Sequence, residues 1–264
     1  MSQFKFLVSL LFLQREGSAG GILAKCVASV CCALFAQLFF LSVSAHAAED
    51  VSAVQIVKSV EADTGAWPNA AEANAVIVQV TNRLLTLIKE AAEYVDDDEA
   101  RFYQELGDTL KDYVDFKSFA RAVMGRYASK KTMESLDEAG KQKLQAQIDR
   151  FSAVFTTALI DTYGKGLLVF EGESIEVVPP NAEAELKAAQ GKATVKQLIF
   201  GDRQTPYEIY YSLRKSSEGQ WKIRNLIVES SNLGKIYRNQ FKNSYKVYDS
   251  DIDKVIDNWI ASDN

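Results

Sequence analysis

Downstream of residue 47 the chain has no histidine and no cysteine: the single histidine is His46, and the three cysteines are Cys26, Cys31 and Cys32. Without imidazole or thiol, the Ser-His-Asp and Cys-His nucleophile systems are excluded from that region. So are zinc sites built on nitrogen or sulfur ligands, and disulfides cannot brace it. The chain also lacks a Gly-rich phosphate loop, a G-x-S-x-G elbow and an S-x-x-K set with its partner motifs. Ser118-Phe119-Ala120-Arg121 carries arginine where a Ser-Lys enzyme needs lysine. Net positive charge is missing too, since the formal charge is −5. Phosphate backbones are bound by clustered Lys and Arg, so nucleic acid is not an expected partner, and adsorption to anionic lipid is weakened.

The first 47 residues account for the missing residue types. Val27 to Leu41 is apolar apart from Ser29 and Gln37, follows Lys25, and leads into Ser44-Ala45-His46-Ala47, an A-x-A cleavage pattern. Residues 1–47 therefore read as a secretory signal peptide, and the mature chain is expected to begin near Ala48. A retained anchor would need about 20 apolar residues. Lipid attachment is not expected, because Lys25, Val30 and Cys31 precede the three cysteines where a small residue is required. Removal of Lys5, Arg15, Lys25 and Glu16 takes the formal charge from −5 to −7.

Residues 48–264 contain no internal repeat and no Pro/Gly/Ser linker, and read as a single domain. Helical patterns come first, then strands, then helices, which is the order of an α+β fold. Ile77, Val80, Leu84, Leu87, Ile88 and Ala91 lie on one helical face. Asp96-Asp97-Asp98 lacks the interleaved ligands and loop glycine of a calcium site, and is read as the cap of a helix from Glu99. Asp115 to Gly125 reads as a short capped helix with an apolar face, Phe116, Phe119, Ala120, Val123 and Met124. Ser135 and Glu138 have capping-box spacing and open a longer helix with an inner stripe of Leu144, Ile148, Phe151, Phe155, Leu159 and Tyr163, which Gly164 and Gly166 are expected to end.

Four strands follow at 174–178, 192–200, 207–214 and 221–228, joined by hairpin-length connections, so an antiparallel sheet of about four strands is expected. Ile209, Tyr211 and Leu213 share one face. Trp221, Ile223 and Ile227 are assigned to one face of the last strand, opposite Leu226 and Val228. Two helices close the chain, one with Leu233, Ile236, Tyr237 and Phe241, the other with Ile252, Val255, Ile256, Trp259 and Ile260. Glu171, Glu173 and Glu176 form the one carboxylate group resembling a hydrolase pair, although charged side chains beside a turn are ordinarily solvated.

Several segments together resemble the MlaC or toluene-tolerance family of periplasmic phospholipid-binding proteins. They are "DYVDFKSFARAVMGRYA", "FTTALIDTYGKGLLVFEGESIEVVPP", "YEIYYSLRKSSEGQWKIRNLIVES", "SNLGKIYRNQF" and "DIDKVIDNW", in the family's order from Asp112 to Trp259. Two departures stand out: Ser135-Leu136-Asp137-Glu138 replaces a Thr-Pro or Ser-Pro start, and Val228-Glu229-Ser230-Ser231 replaces Val-Glu-Gly. The resemblance implies a soluble periplasmic carrier without enzymatic activity or cofactor. Its cargo would be phospholipid, and its partners an outer-membrane lipoprotein/porin complex and an inner-membrane MCE-domain protein of an ABC transporter.

A two-chain lipid presents roughly thirty methylenes, each worth about 0.8 kcal/mol on burial. An apolar cavity between helices and sheet is therefore expected. Phe116, Phe119, Val123, Phe151, Phe155, Leu159, Ile209 and Tyr211 are its candidate lining and lipid-binding residues. A hopanoid-like cargo, a carboxylate hydrolase and a packed interaction module are the competing readings.

Overall fold

The computed structural model describes residues 68–259 except 169, 171–173 and 202–203. The expected signal peptide, Ile260, Glu171 and Glu173 lie outside the described residues. Eight α-helices and a five-stranded sheet are present among them. Helices α1 (Pro68–Ala91), α2 (Glu99–Lys111), α3 (Phe116–Met124), α4 (Lys130–Glu134) and α5 (Glu138–Leu168) precede β1 (Ser174–Val177). Then come α6 (Ala182–Ala188), β2 (Lys192–Phe200), β3 (Tyr207–Lys215), β4 (Trp221–Val228), β5 (Ser231–Asn232), α7 (Leu233–Val247) and α8 (Ile252–Asp257).

The caps explain where the helices start. Asp98 accepts the Arg101 N–H, which confirms the acidic run as a cap, and Asp115 accepts the Ser118 N–H at 2.9 Å. Gly125 ends α3 at φ +60°, a conformation glycine adopts without steric cost. The start of α5 differs from the capping-box reading. Ser135 closes α4 by donating its hydroxyl to the Thr132 carbonyl, while Asp137 Oδ1 takes the Gly140 N–H at 2.8 Å and caps α5. Nor do Gly164 and Gly166 stop α5, which runs on to Leu168. Gly164 is there for closeness: a Cβ at that position would meet Tyr103 Cε1 of α2 at 2.6 Å.

The strands form an antiparallel meander in the order β1-β2-β3-β4-β5. Tyr207, Ile209 and Leu213 are buried on the helix-covered face, and Lys196 and Glu208 pair at 2.6 Å on the other. In β4 the expected facing is corrected by a bulge. Leu213 pairs with Ile223 and Ser212 with Asn225, leaving Arg224 as the extra residue. The added residue shifts the alternation by one, so Leu226 and Val228 join Ile223 on the inner face while Ile227 pairs with Tyr210 on the outer. β5, α4 and α6 are additions to the expected set.

Helix α1 lies across the sheet and is tied down near its N-terminus. The Glu185 carboxylate of α6 accepts Ala70 N–H at 2.8 Å and Asn69 Nδ2 at 2.7 Å, a favourable place for negative charge at a helix start. Asn74 Nδ2 donates to the Val178 carbonyl, and Lys215 pairs with Glu72.

Candidate functional site

The interior is not one continuous apolar mass. A large cluster joins α3, α5, α7 and α8 to the sheet and is dominated by aromatic rings: Phe119 on Phe155 (5.3 Å between centroids), Phe151 on Phe241 (5.0 Å) and Phe151 on Trp259 (4.9 Å). A second cluster seats the first half of α1, through Ala73 and Ile77, on Val195, Leu213, Trp221 and Ile223. A third holds the end of α1 to α2 through Leu87, Ala91, Phe102 and Leu106. Among the described residues, half-buried apolar side chains bridge them: Leu85, Tyr211 and Leu226 contact the first two, Leu84 and Leu110 the second and third.

All five bridging residues line one cavity of about 290 Å³, near the lower end of the ~300–1,000 Å³ common for ligand pockets. Its walls come from α1 (Val80, Leu84, Leu85, Ile88), α5 (Leu159, Ile160, Tyr163, Leu167), α3 and the inner face of β1 to β4. Among the described residues no charged side chain lines it. The chemistry its described wall offers is solvation of an apolar guest.

Among the described residues, polar side-chain groups in the wall are hydroxyls and one amide. Gln197 Nε2 donates to Thr81 Oγ1 at 2.8 Å, Thr81 Oγ1 donates to the Ile77 carbonyl at 2.7 Å, and Tyr211 O–H donates to Gln197 Oε1 at 2.8 Å. Burial pushes the Tyr211 phenol upward in pKa, so its proton stays in place. Tyr163 and Tyr237 hydroxyls stand 3.0 Å apart at the α5–α7 contact.

Five residues singled out from sequence line the cavity: Phe116, Phe119, Leu159, Ile209 and Tyr211. Val123, Phe151 and Phe155 do not. They are fully buried in the aromatic cluster, and their side chains fill space where α3, α5, α7 and α8 meet. The same helical stripe thus serves two ends, solid core at Phe151 and Phe155, cavity wall at Leu159 and Tyr163. Sequence reasoning also leaves out the α1 wall, Leu226, Val228 and Gln197. For Gln197 a signal exists: in Lys192–Phe200 the inward positions are Val195, Gln197 and Ile199, and an amide there breaks an otherwise apolar alternation. Glu176 is half-buried on β1 and is absent from the cavity wall. Among the described residues, no helix is long and apolar enough to cross a membrane.

The family described as MlaC protein matches residues 78–261, from the cavity-facing part of α1 through every strand to the last helices. The toluene tolerance protein ttg2D of Pseudomonas putida is 32% identical over 186 residues, covering 70% of this chain and 78% of its own. A solved phospholipid-binding protein from Ralstonia solanacearum, in complex with a phospholipid, has the same fold, with a TM-score of 0.57 at 19% identity over 70% of this chain and 93% of that one. With the family matched over most of its length and a relative this similar in sequence, the chain belongs to the MlaC protein family.

Proposed function

We propose that this protein is a periplasmic carrier that shelters phospholipid acyl chains in the cavity between sheet and helices. It ferries lipid between an outer-membrane lipoprotein/porin complex and an inner-membrane MCE-domain protein of an ABC transporter, in the service of outer-membrane lipid asymmetry. The lipid is cargo, and no bond is made or broken. The observation that carries this reading is the cavity itself: a charge-free wall at the place where three separately packed clusters meet. Phe116, Phe119, Leu159, Ile209 and Tyr211 are the acyl-chain contacts we assign, joined by Leu84, Leu85 and Leu226.

Exposing two acyl chains to water costs on the order of 20 kcal/mol at about 0.8 kcal/mol per methylene, so a carrier needs an enclosed apolar space. A cavity of about 290 Å³ suits part of such a lipid. Loading widens it by separating the clusters at their five half-buried bridging side chains. The bound Ralstonia solanacearum protein of the same fold supports the choice of phospholipid as guest.

Native mass spectrometry of the protein purified from the periplasm tests the reading. A mass added by two-chain phospholipid is the expected result. A polycyclic lipid in its place would assign a different cargo, and a bare chain that takes up no phospholipid from vesicles would refute the carrier.

A further inference from the structure

Gln197 is 2% exposed, in the middle of β2, with its side chain in the wall of the charge-free cavity. Its amide orientation follows from its neighbours. Thr81 gives its only proton to the Ile77 carbonyl, so it must accept from Gln197, which places the amide nitrogen at Thr81 and the amide oxygen at Tyr211. A glutamine amide has two N–H groups, and only one is used here. Among the described residues the second has no partner. A buried donor left without an acceptor is destabilising, and this one is held at a fixed place by three elements, α1, β2 and β3.

We infer that the second Gln197 amide N–H is a recognition point for an acyl-ester carbonyl oxygen of the cargo. The inference rests on the carrier reading above and adds a polar specificity to it. A carbonyl fits because it needs one neutral donor. A phosphate would bring charge into a wall with no cation among the described residues to meet it, and the tie between α1 and the sheet is already made by the Thr81 bond. An ester-linked lipid therefore satisfies a donor that a pure hydrocarbon or an ether-linked chain leaves unmet.

The test compares dipalmitoyl phosphatidylethanolamine with its dihexadecyl ether counterpart, which has the same headgroup and chain length but no carbonyls, in competition for the delipidated protein. Wild type is expected to favour the diester about fivefold or more, the scale of one buried hydrogen bond. Gln197→Met, which keeps volume and drops the amide, is expected to bind both within about twofold. Equal binding of the two lipids by wild type would overturn the inference and leave the carrier standing. A preference that survives Gln197→Met would overturn the assignment to Gln197. Uptake of neither lipid would overturn the carrier reading and the inference with it. The wild-type comparison decides the matter even if the variant fails to fold.

Discussion

Individual side chains divide into those that hold the fold and those that shape the void. Phe155 is fully buried between Phe119, Phe151, Tyr237 and Trp259, so Phe155→Ala is expected to cost about 3–5 kcal/mol in denaturant unfolding. Leu226→Trp places an indole where there is space, and is expected to leave unfolding within about 1.5 kcal/mol of wild type while abolishing phospholipid uptake from vesicles. Equal loss of stability in both variants would show that the interior has no functional void.

Asp115 has a pH signature. Burial raises its pKa, but the Ser118 hydrogen bonds and the Arg224 guanidinium at 2.8 Å outweigh it, and the carboxyl is held below its ordinary 3.8. A depressed folded value means that the stabilisation is complete above the unfolded pKa and is lost as pH falls through the folded one. Asp115→Asn should therefore flatten the decline of the urea midpoint below about pH 4, near the unfolded aspartate value. An unchanged acid limb would remove Asp115 from the account.

Among the elements, those read most directly from sequence are defined by alternation and caps. Lys192–Phe200 is found at the expected residues because β-branched alternation is a local signal, and Asp98, Asp115 and Gly125 bound helices as expected. The misread elements depend on partners distant in the chain. Gly164 looks like a helix stop, yet it is a close-packing site against Tyr103, sixty-one residues earlier. The Arg224 bulge is visible only once β3 and β4 are paired, and it is what turns Leu226 and Val228 toward the cavity. The Glu185 carboxylate of α6 holds Asn69 and Ala70 of α1, a tie that no local pattern announces.

The α2–α5 contact gives a prediction at this scale. Gly164→Ala forces Tyr103 aside and is expected to destabilise by about 1–3 kcal/mol. Tyr103→Leu should recover part of that loss in a double-mutant cycle. Additive effects would mean that the two helices do not meet there.

For the molecule as a whole, which face would be cavity and which would be core was the part least legible in advance. Periodicity marks an inward residue without saying whether atoms or a void lie beyond it, so in sequence Phe151 and Phe155 look the same as Phe119 and Leu159. The division arises from three clusters that pack separately and leave a gap between them. A ligand that enters such a gap in the folded state alone stabilises that state by mass action. Phospholipid added to the delipidated protein is therefore expected to raise the melting temperature in a concentration-dependent way, and a flat response would argue against occupancy of the interior.

The most direct measurement is a crystal structure of the protein loaded with a phospholipid brominated along its acyl chains. The account predicts anomalous bromine peaks inside the cavity, against Leu85, Tyr211 and Leu226, with the three clusters moved apart around them. Bromine confined to the outer surface, over an interior that remains closed, would contradict it.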